Sequence, residues 1–355
     1  MDLRAFIVKP ESHIREVIAR IDANRRGVAI LVDKESHFSG VITDGDIRRA
    51  ILAGLDLHLP ASTLIERRKQ EMYPRPISAP VGTSSQEIIK IMRQHKIRHL
   101  PLLDELGKVV DLVFLEDFID VPAERITAVV MAGGFGKRLH PLTNELPKPM
   151  LPMDGKPLME RQIEQLQTSG IQKVYVTTHY KSEKIIEHFG NGEGFGVEIN
   201  YIQESQPLGT AGALALLPKS TKPLLVINGD ILTRVDFSTL FNFHKDQGAE
   251  MTVAVREFKS HVPYGVVEVK GIDVIEVVEK PTKRCFINAG IYVLNPSALQ
   301  LIPFNGENFD MPDLINLLVN QGQRVVSFPI REYWVDIGHM EDYERALKDL
   351  ANGRL

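Results

Sequence analysis

The 355-residue chain contains a single cysteine, Cys285. That scarcity excludes an internal disulfide and any zinc site built from cysteines. Long apolar runs are missing too. The opening stretch MDLRAFIVKPESHIREV has no apolar signal core, and no window approaches the ~20 apolar residues of a membrane span. A reducing cytoplasm, away from membranes, is the expected setting. Nor does charge of one sign dominate: 42 Lys and Arg stand against 46 Asp and Glu, a net −4. Such a balance does not recommend a nucleic acid or an anionic membrane as partner. Any attraction for phosphate must therefore be local. What is present, 43% hydrophobic and 25% charged residues, describes a globular chain long enough for two domains.

The local signal lies in residues 128–152, AVVMAGGFGKRLHPLTNELPKPMLP. The apolar, β-branched run over residues 126–131 predicts a buried strand. It breaks into Ala132, Gly133, Gly134, Phe135 and Gly136, then Lys137 and Arg138, and no periodic element follows until about Leu158. A loop that long inside a compact domain is usually functional. Its glycines let backbone N–H groups turn closely onto an anion. Arg138 and Lys148 supply cations, and Pro141, Pro147, Pro149 and Pro152 stiffen the path. A polyphosphate suits such a loop; a solvated glycine turn with chance basic residues is the structural alternative. Two other phosphate loops fail on spacing. A Walker loop needs Ser or Thr after Gly-Lys, whereas Gly136-Lys137 is followed by Arg138, and prolines block the helix that a dinucleotide fingerprint must open.

The segment resembles the GGxGxRLxPLT…PKPxxP signature of the nucleotidyltransferases that make nucleotide-diphospho-sugars, the sugar-1-phosphate pyrophosphorylases. The resemblance spans about residues 126–355. It implies an α/β fold with a Rossmann-like mixed sheet of glycosyltransferase-A type. It also implies an enzyme that joins a sugar 1-phosphate to the α-phosphorus of a nucleoside triphosphate and releases pyrophosphate. The sugar phosphate is already a competent nucleophile, so positioning, fixed cations and a divalent metal must do most of the work.

Asp230 ends PLLVINGD, at the carboxyl end of a strand expected over residues 224–228, where open α/β sheets place ligands. Asp336 lies in YWVDIGHMEDY, similar to the family's closing WxDIGxxxxY. The resemblance implies that both hold Mg²⁺, in keeping with that ion's preference for hard oxygen ligands. A turn for Asp230, a helix N-cap for Asp336 and core packing for Trp334 are the alternatives. By the same resemblance Arg138 grips the leaving pyrophosphate and Lys148 the reacting phosphates. Ala132, Gly133, Gly134 and Thr210 bind the nucleotide, and Gln203 and the backbone at Gly209 in QESQPLGTAGA read its base edge. Lys280 and Glu279 of VVEKPTK meet the sugar's phosphate and hydroxyls, and Asn288 of NAGIYVL faces the sugar. A helix start accounts for Gly209 and Gly212 as well. PLGTAG is the form of guanylyltransferases acting on mannose-type sugars, so GTP is the expected nucleotide. Uridylyl, cytidylyl or thymidylyl transfer is the alternative within the class, and a nucleotide-sensing protein without catalysis the alternative outside it. The segment after Asp336 is too short for the β-helix or isomerase extensions of some relatives.

Helices are expected over residues 157–169, with Leu158, Ile163 and Leu166 inward, and over 182–189; a strand is expected over 173–177. This alternation predicts a largely parallel sheet with right-handed crossovers. Over residues 251–294 β-branched runs dominate, and an antiparallel or mixed patch is expected.

The first ~120 residues repeat themselves. Asp33 and Asp46 recur as Asp104 and Asp117 at one constant offset, and the stripe Val17, Ile18, Ile21 recurs as Ile88, Ile89, Met92. Each copy reads helix, strand, turn, strand, helix: 14–23, 28–32, 40–43 and onward from about Asp44, then 85–95, 99–103, 109–113 and onward from about Glu116. The copies resemble a tandem pair of cystathionine-beta-synthase (CBS) motifs over about residues 1–120. The best match is GVITDGDIRR, where Thr43 and Asp46 take positions that the family sets against ribose. Phe114 replaces the hydroxyl in the second copy, so one site is expected at most. The resemblance implies an adenosine nucleotide, regulation of an attached enzyme and a homo-oligomer; capping of the next helix by Thr43 and Asp46 is the structural alternative. A polar linker containing Pro122 is expected over residues 118–125, ahead of the second domain, 126–355.

Overall fold

The computed structural model describes residues 2–68, 76–118, 126–304 and 306–354. From residue 119 onward the expected linker lies outside them. By its internal packing the chain divides into two compact units, residues 1–122 and 123–355.

In the first unit the repeat takes physical form. Helix Ile14–Asn24 buries Ile14, Val17 and Ile21, and helix Ser85–Gln94 buries Ile88 and Met92. Each precedes an antiparallel pair, Val28–Val32 with Phe38–Thr43 and His99–Leu103 with Val109–Phe114. The repeated aspartates are structural. Asp33 Oδ1 accepts the N–H groups of Glu35 and His37 at 2.9 and 2.8 Å, and Asp104 Oδ1 those of Leu106 and Lys108 at 3.0 and 2.8 Å, so each folds a hairpin turn. Val28, Ile30 and Val41 of the first copy share a core with Leu112 and Phe114 of the second. The helix expected from about Glu116 is, within the described residues, one 3-10 turn, Leu115–Asp117.

Thr43 and Asp46 are engaged with each other. Thr43 Oγ1 accepts the Asp46 N–H at 3.3 Å, Asp46 Oδ2 accepts the Thr43 N–H at 2.8 Å, and helix Asp44–Leu52 starts on this capping box. Arg49 donates to Asp46 Oδ1 at 2.6 Å.

The second unit is laid down as β1 (Thr127–Met131), α1 (Leu158–Thr168), β2 (Lys173–Thr178), α2 (Ser182–Phe189), β3 (Glu198–Gln203), α3 (Gly209–Gly212), β4 (Leu224–Asn228) and β5 (Ile231–Thr233). There follow α4 (Phe237–Gln247), β6 (Met251–His261), β7 (Val266–Lys270), β8 (Asp273–Val278), β9 (Thr282–Leu294), α5 (Met311–Asn320), β10 (Val325–Ile330), β11 (Trp334–Asp336) and α6 (Met340–Ala351). Seven strands form one sheet in the order β3-β2-β1-β4-β9-β6-β10. Strand β9 runs antiparallel to both β4 and β6, and the other neighbours are parallel. The sheet is therefore mixed but largely parallel, and its one antiparallel strand, β9, falls in the β-rich stretch 251–294, where the chain returns from β6 through the β7–β8 ribbon without a helical crossover.

Alternation along β1 sends Ala128 and Val130 to one face and Val129 to the other. On the first face they meet Met159, Ile163 and Leu166 of α1 and Phe237 and Leu240 of α4. On the second, Val129 joins Ala211, Leu214, Met311 and Leu314. Burial on both faces fixes the register of the central strands, since a one-residue slip would exchange the two sets.

The chain winds from β1 outward through β2 and β3, then resumes beside β1 at β4. The carboxyl ends of β1 and β4 thus flank a topological switch point, the usual ligand crevice of open α/β sheets. Their approach there is close. A Cβ on Gly229 would lie 2.7 Å from the Met131 carbonyl oxygen, so only glycine fits directly after β4.

Candidate active site

At that crevice a cavity of about 240 Å³ is lined by Ala132, Gly133, Gly134, Lys148, Glu204, Gly209, Thr210, Asn228, Asp230 and Asn308, among others. Seven residues singled out in the sequence meet here: Ala132, Gly133, Gly134, Lys148, Gly209, Thr210 and Asp230.

The glycine loop is folded back rather than extended. Gly136 takes a left-handed φ of 64°, and a Cβ there would lie 2.9 Å from the Thr143 side chain. Thr143, fully buried, donates to the Gly136 carbonyl at 2.9 Å. Two 3-10 turns, Lys137–Leu139 and Lys148–Met150, set Arg138 and Lys148. Lys148 is 9% exposed, and its ammonium sits 2.5 Å from Asp230 Oδ2. Asp230 Oδ1 and Asn228 Oδ1 are buried with no hydrogen-bond partner.

Asp336 is brought to the same place by backbone pairing. β11 runs antiparallel to β5 with Asp336 opposite Ile231, and the Ile337 N–H donates to the Asp230 carbonyl at 3.0 Å. Trp334 Nε1 donates to the Ala289 carbonyl at 2.9 Å, fastening β11 to β9. Asp336 is exposed, yet the protein around it and the Asp230 carboxylate push its carboxyl up to about 6, against the pull of Lys148 and Arg138. A Cβ on Gly338 would lie 3.5 Å from Asp336 Oδ1 and 3.8 Å from Arg138 Nη1, so Arg138 shares this corner. Its guanidinium also lies 3.3 Å from His339 Nε2. The N-cap of α6 is His339, so Asp336 does not cap that helix.

Among the described residues no three His, Cys, Asp or Glu side chains cluster to hold a metal by themselves. The donors present are two carboxylates, one of them with a buried, unpartnered oxygen. That set fits an Mg²⁺ whose other ligands are substrate oxygens and water.

On the far side of the cavity α3 is held by a segment a hundred residues away. Gly209 has a φ of 83°, and a Cβ on it would lie 2.7 Å from the Phe309 carbonyl. Asp310 Oδ1 accepts the Thr210 N–H and hydroxyl at 2.8 and 3.1 Å, and Thr210 Oγ1 accepts the Met311 N–H at 2.9 Å. The Thr210 N–H holds the Asp310 carboxyl below the usual carboxylate range.

Six singled-out residues do not line the cavity: Arg138 and Asp336, which share the corner beside Asp230, and Gln203, Glu279, Lys280 and Asn288. Gln203, the last residue of β3, is exposed, and so are Glu279 and Lys280 beyond β8. Asn288 is nearer: its amide donates to the Tyr292 hydroxyl at 2.8 Å. Burial pushes that phenol up to about 12, and the Asp230 charge acts in the same direction.

Sequence reasoning missed Glu204, Asn308 and Asp310. Glu204 is 6% exposed, accepts the Leu208 N–H at 3.1 Å and sits where a Cβ on Gly133 would meet its Oε1 at 2.6 Å. Burial raises its carboxyl above the usual value. The capping pattern Asp310-Met311-Pro312-Asp313 marks a helix start, but no local signal joins it to Thr210.

The family described as nucleotidyl transferase matches residues 127–353, and the CBS domain matches residues 1–53 and 69–124. The chain is 37% identical over 229 residues to a mannose-1-phosphate guanyltransferase of Schizosaccharomyces pombe, covering 61% of this chain and 62% of that protein. It is 36% identical over 233 residues to the probable mannose-1-phosphate guanylyltransferase 1 of Oryza sativa subsp. japonica, covering 62% and 63%. It thus spans less than two thirds of the length of the curated relatives it matches. Among solved structures, HddC from Yersinia pseudotuberculosis complexed with GMP-PN superposes with a TM-score of 0.51 at 27% identity, over 63% of this chain and 99% of that one. A putative glucose-1-phosphate thymidylyltransferase from Bacillus anthracis gives 0.52 at 23% identity, over 63% and 94%, a likeness of fold. Among the described residues no helix is long and apolar enough to cross a membrane.

Proposed function

From the premise that the chain belongs to the nucleotidyl transferase family, with CBS domains ahead of its transferase unit, we propose that it is a sugar-1-phosphate guanylyltransferase. GTP and a mannose-type hexose 1-phosphate go in; a GDP-sugar and pyrophosphate come out. The observation that carries this reading is the cavity at the ends of β1 and β4, which collects the glycine loop, Lys148 and Asp230.

A phosphate oxygen of the sugar phosphate attacks the α-phosphorus, and the bond from that phosphorus to the α–β bridging oxygen breaks. Backbone N–H groups at Ala132, Gly133 and Gly134 take the triphosphate. Arg138 steadies the departing pyrophosphate, and Lys148 neutralises charge on the reacting phosphates. Asp230 and Asp336 would hold Mg²⁺, which when bound would supply Lewis-acid charge neutralisation on the phosphate oxygens. Glu279, Lys280 and Asn288 serve the sugar phosphate.

Guanine is favoured by Glu204. An ionised carboxylate only accepts hydrogen bonds, and guanine alone among the common bases presents two adjacent donors, N1–H and N2–H₂, on its Watson–Crick edge. Uracil and thymine offer one N–H between two carbonyls, which a carboxylate repels. Gln203 and the backbone at Gly209 and Thr210 complete the base contacts. The GMP-PN complex of HddC and the guanyltransferase relatives support the same choice. The CBS unit takes an adenosine nucleotide beside Thr43 and Asp46 and regulates a cytoplasmic homo-oligomer.

A pyrophosphate-release screen of four nucleoside triphosphates against a panel of sugar 1-phosphates tests this assignment. GTP with a mannose-type phosphate should lead. Preference for UTP, CTP or dTTP would move the enzyme elsewhere within its family.

A further inference from the structure

Helix α1 packs on the main sheet through Met159, Ile163 and Leu166, yet its buried side also carries an amide. Gln162 is 2% exposed. Its Nε2 donates to the Asn228 carbonyl at 2.9 Å and to the Ile231 carbonyl at 2.7 Å, whereas its Oε1 is buried with no hydrogen-bond partner. Carbonyl oxygens only accept, so the pair selects the NH₂ end of the amide. A buried polar atom without a partner is costly, and a methionine would fill similar space without that cost. What the amide adds is the two donated bonds.

Those bonds close the turn that carries Asp230. Asn228 ends β4 and Ile231 begins β5, so Gly229 and Asp230 are the whole connection between the strands. The Gly229 N–H donates to the Met131 carbonyl on β1 at 2.9 Å. In a planar trans peptide the C=O points opposite to the N–H, so the Asn228 carbonyl faces away from β1, and the pairing of β4 with β9 stops at Ile227. At the other end of the turn the Ile337 N–H takes the Asp230 carbonyl. Alternate residues of a strand face an antiparallel partner's backbone, so the Ile231 carbonyl points away from β11. Gln162 reaches both of these carbonyls from α1.

We infer that Gln162 is a positioning residue for the two carboxylates of the site. By gripping both ends of the 228–231 turn its amide fixes Asp230. Because Asp336 is registered against Ile231, the same grip sets Asp336 in relation to Asp230. The consequence for the reaction rests on the proposed function, which assigns these carboxylates to Mg²⁺, an ion that demands near-octahedral geometry from its oxygen ligands. Gln162 itself touches neither substrate nor metal. Without its donors the turn shifts, and the carboxylates leave the spacing that one ion requires.

The helix supplies its own control. Gln165, one turn further along α1, donates through Nε2 to the Val235 carbonyl at 2.7 Å, the same chemistry from the same helix onto a carbonyl beyond β5. The test compares the full chain as wild type, Gln162→Met and Gln165→Met, each change replacing the amide by an apolar side chain of similar length. Gln162→Leu serves if Gln162→Met does not fold.

Amide hydrogen exchange in EDTA, with no substrate present, reads the turn itself. Gln162→Met should speed exchange at the Gly229 and Ile337 N–H groups by at least about tenfold, as local opening becomes easier, and Gln165→Met should not. Steady-state kinetics read the carboxylates. Gln162→Met should lower kcat and raise the Mg²⁺ concentration for half-maximal rate, each by roughly 10- to 100-fold, with KM for GTP and for the sugar 1-phosphate unchanged. Gln165→Met should keep the wild-type kcat and Mg²⁺ requirement even where its melting temperature falls as far. Wild-type exchange at those two amides in Gln162→Met, wild-type kcat and Mg²⁺ requirement despite faster exchange, or two variants alike in every readout would overturn the inference. The exchange data stand apart from catalysis: a wild type that releases no pyrophosphate would remove the proposed function, while selective exchange at the turn in Gln162→Met would leave the grip of Gln162 on Asp230 standing.

Discussion

Lys148 and Asp230, 82 positions apart in the chain, meet at 2.5 Å at the mouth of the switch-point crevice. Neither is placed by its own element alone. The 3-10 turn that follows Pro147 aims the lysine, and the tight exit from β4 at Gly229 aims the aspartate. The pair sets one fixed cation against a carboxylate whose other oxygen is buried without a hydrogen-bond partner, an arrangement that on the proposed function would need little reorganisation to receive phosphate and metal.

Replacing that cation should be costly. Lys148→Met should lower kcat for pyrophosphate release by about a hundredfold or more, the scale of losing one preorganised electrostatic contact. Lys148→Arg should not restore it, because a planar fork does not fit the space of a compact ammonium that is 9% exposed. Steady-state rates at saturating substrates check both.

Asp336 makes metal-free stability depend on pH in a definite direction. Its carboxyl is raised from 3.8 to about 6, so the folded form holds the proton more tightly than the unfolded one. Its contribution is fully present below pH ~4 and is lost as pH rises through about 6. In EDTA, Asp336→Asn should therefore melt above wild type at pH 7.5, with the gap closing towards pH 5. Mg²⁺ should raise the wild-type melting temperature and leave that of the variant unmoved. A variant less stable than wild type at every pH would contradict the assignment.

Glu204→Gln exchanges an acceptor-only group for one that is half donor. Hydrogen bonds to a charged group are worth about 1.5–3 kcal/mol, so kcat/KM for GTP should fall by roughly 10- to 100-fold. The rate with UTP should hold or rise. Competition between the two triphosphates in one reaction reads the ratio directly, and equal losses for both would show that Glu204 supports the fold rather than reads the base.

Asp310→Ala should act on both stability and nucleotide binding. It strips the cap from α5, worth about 1 kcal/mol, and releases the Thr210 N–H and hydroxyl that fix the turn at Gly209. A lowered melting temperature together with a raised KM for GTP, and an unchanged KM for the sugar phosphate, is the expected pattern.

What the sequence made legible was local. Glycines, prolines and β-branched runs punctuate residues 126–152 within a few positions of one another, so the buried strand and the glycine loop after it could be read directly. The 3.6-residue spacing of Val17 and Ile21, recurring at Ile88 and Met92, exposed the repeat for the same reason. Pairings across the chain had no such signal. Asp310 shows its capping pattern but not Thr210, and Lys148 does not show Asp230. At the end of β3 successive residues face opposite ways, so neighbouring polar residues have different fates: Gln203 is exposed while Glu204 turns into the cavity. The mixed sheet was half visible, since residues 251–294 look β-rich but do not announce that β9 slots between β4 and β6.

Phosphorus NMR of the full chain with GTP, mannose 1-phosphate and Mg²⁺, run beside Asp230→Asn, tests the central claim most directly. The account predicts that wild type converts the α-phosphorus of GTP into the diphosphate of a GDP-sugar with one pyrophosphate released per turnover, and that Asp230→Asn does so at least about a hundredfold more slowly. GTP left intact by wild type, or an Asp230→Asn protein as fast as wild type, would contradict it.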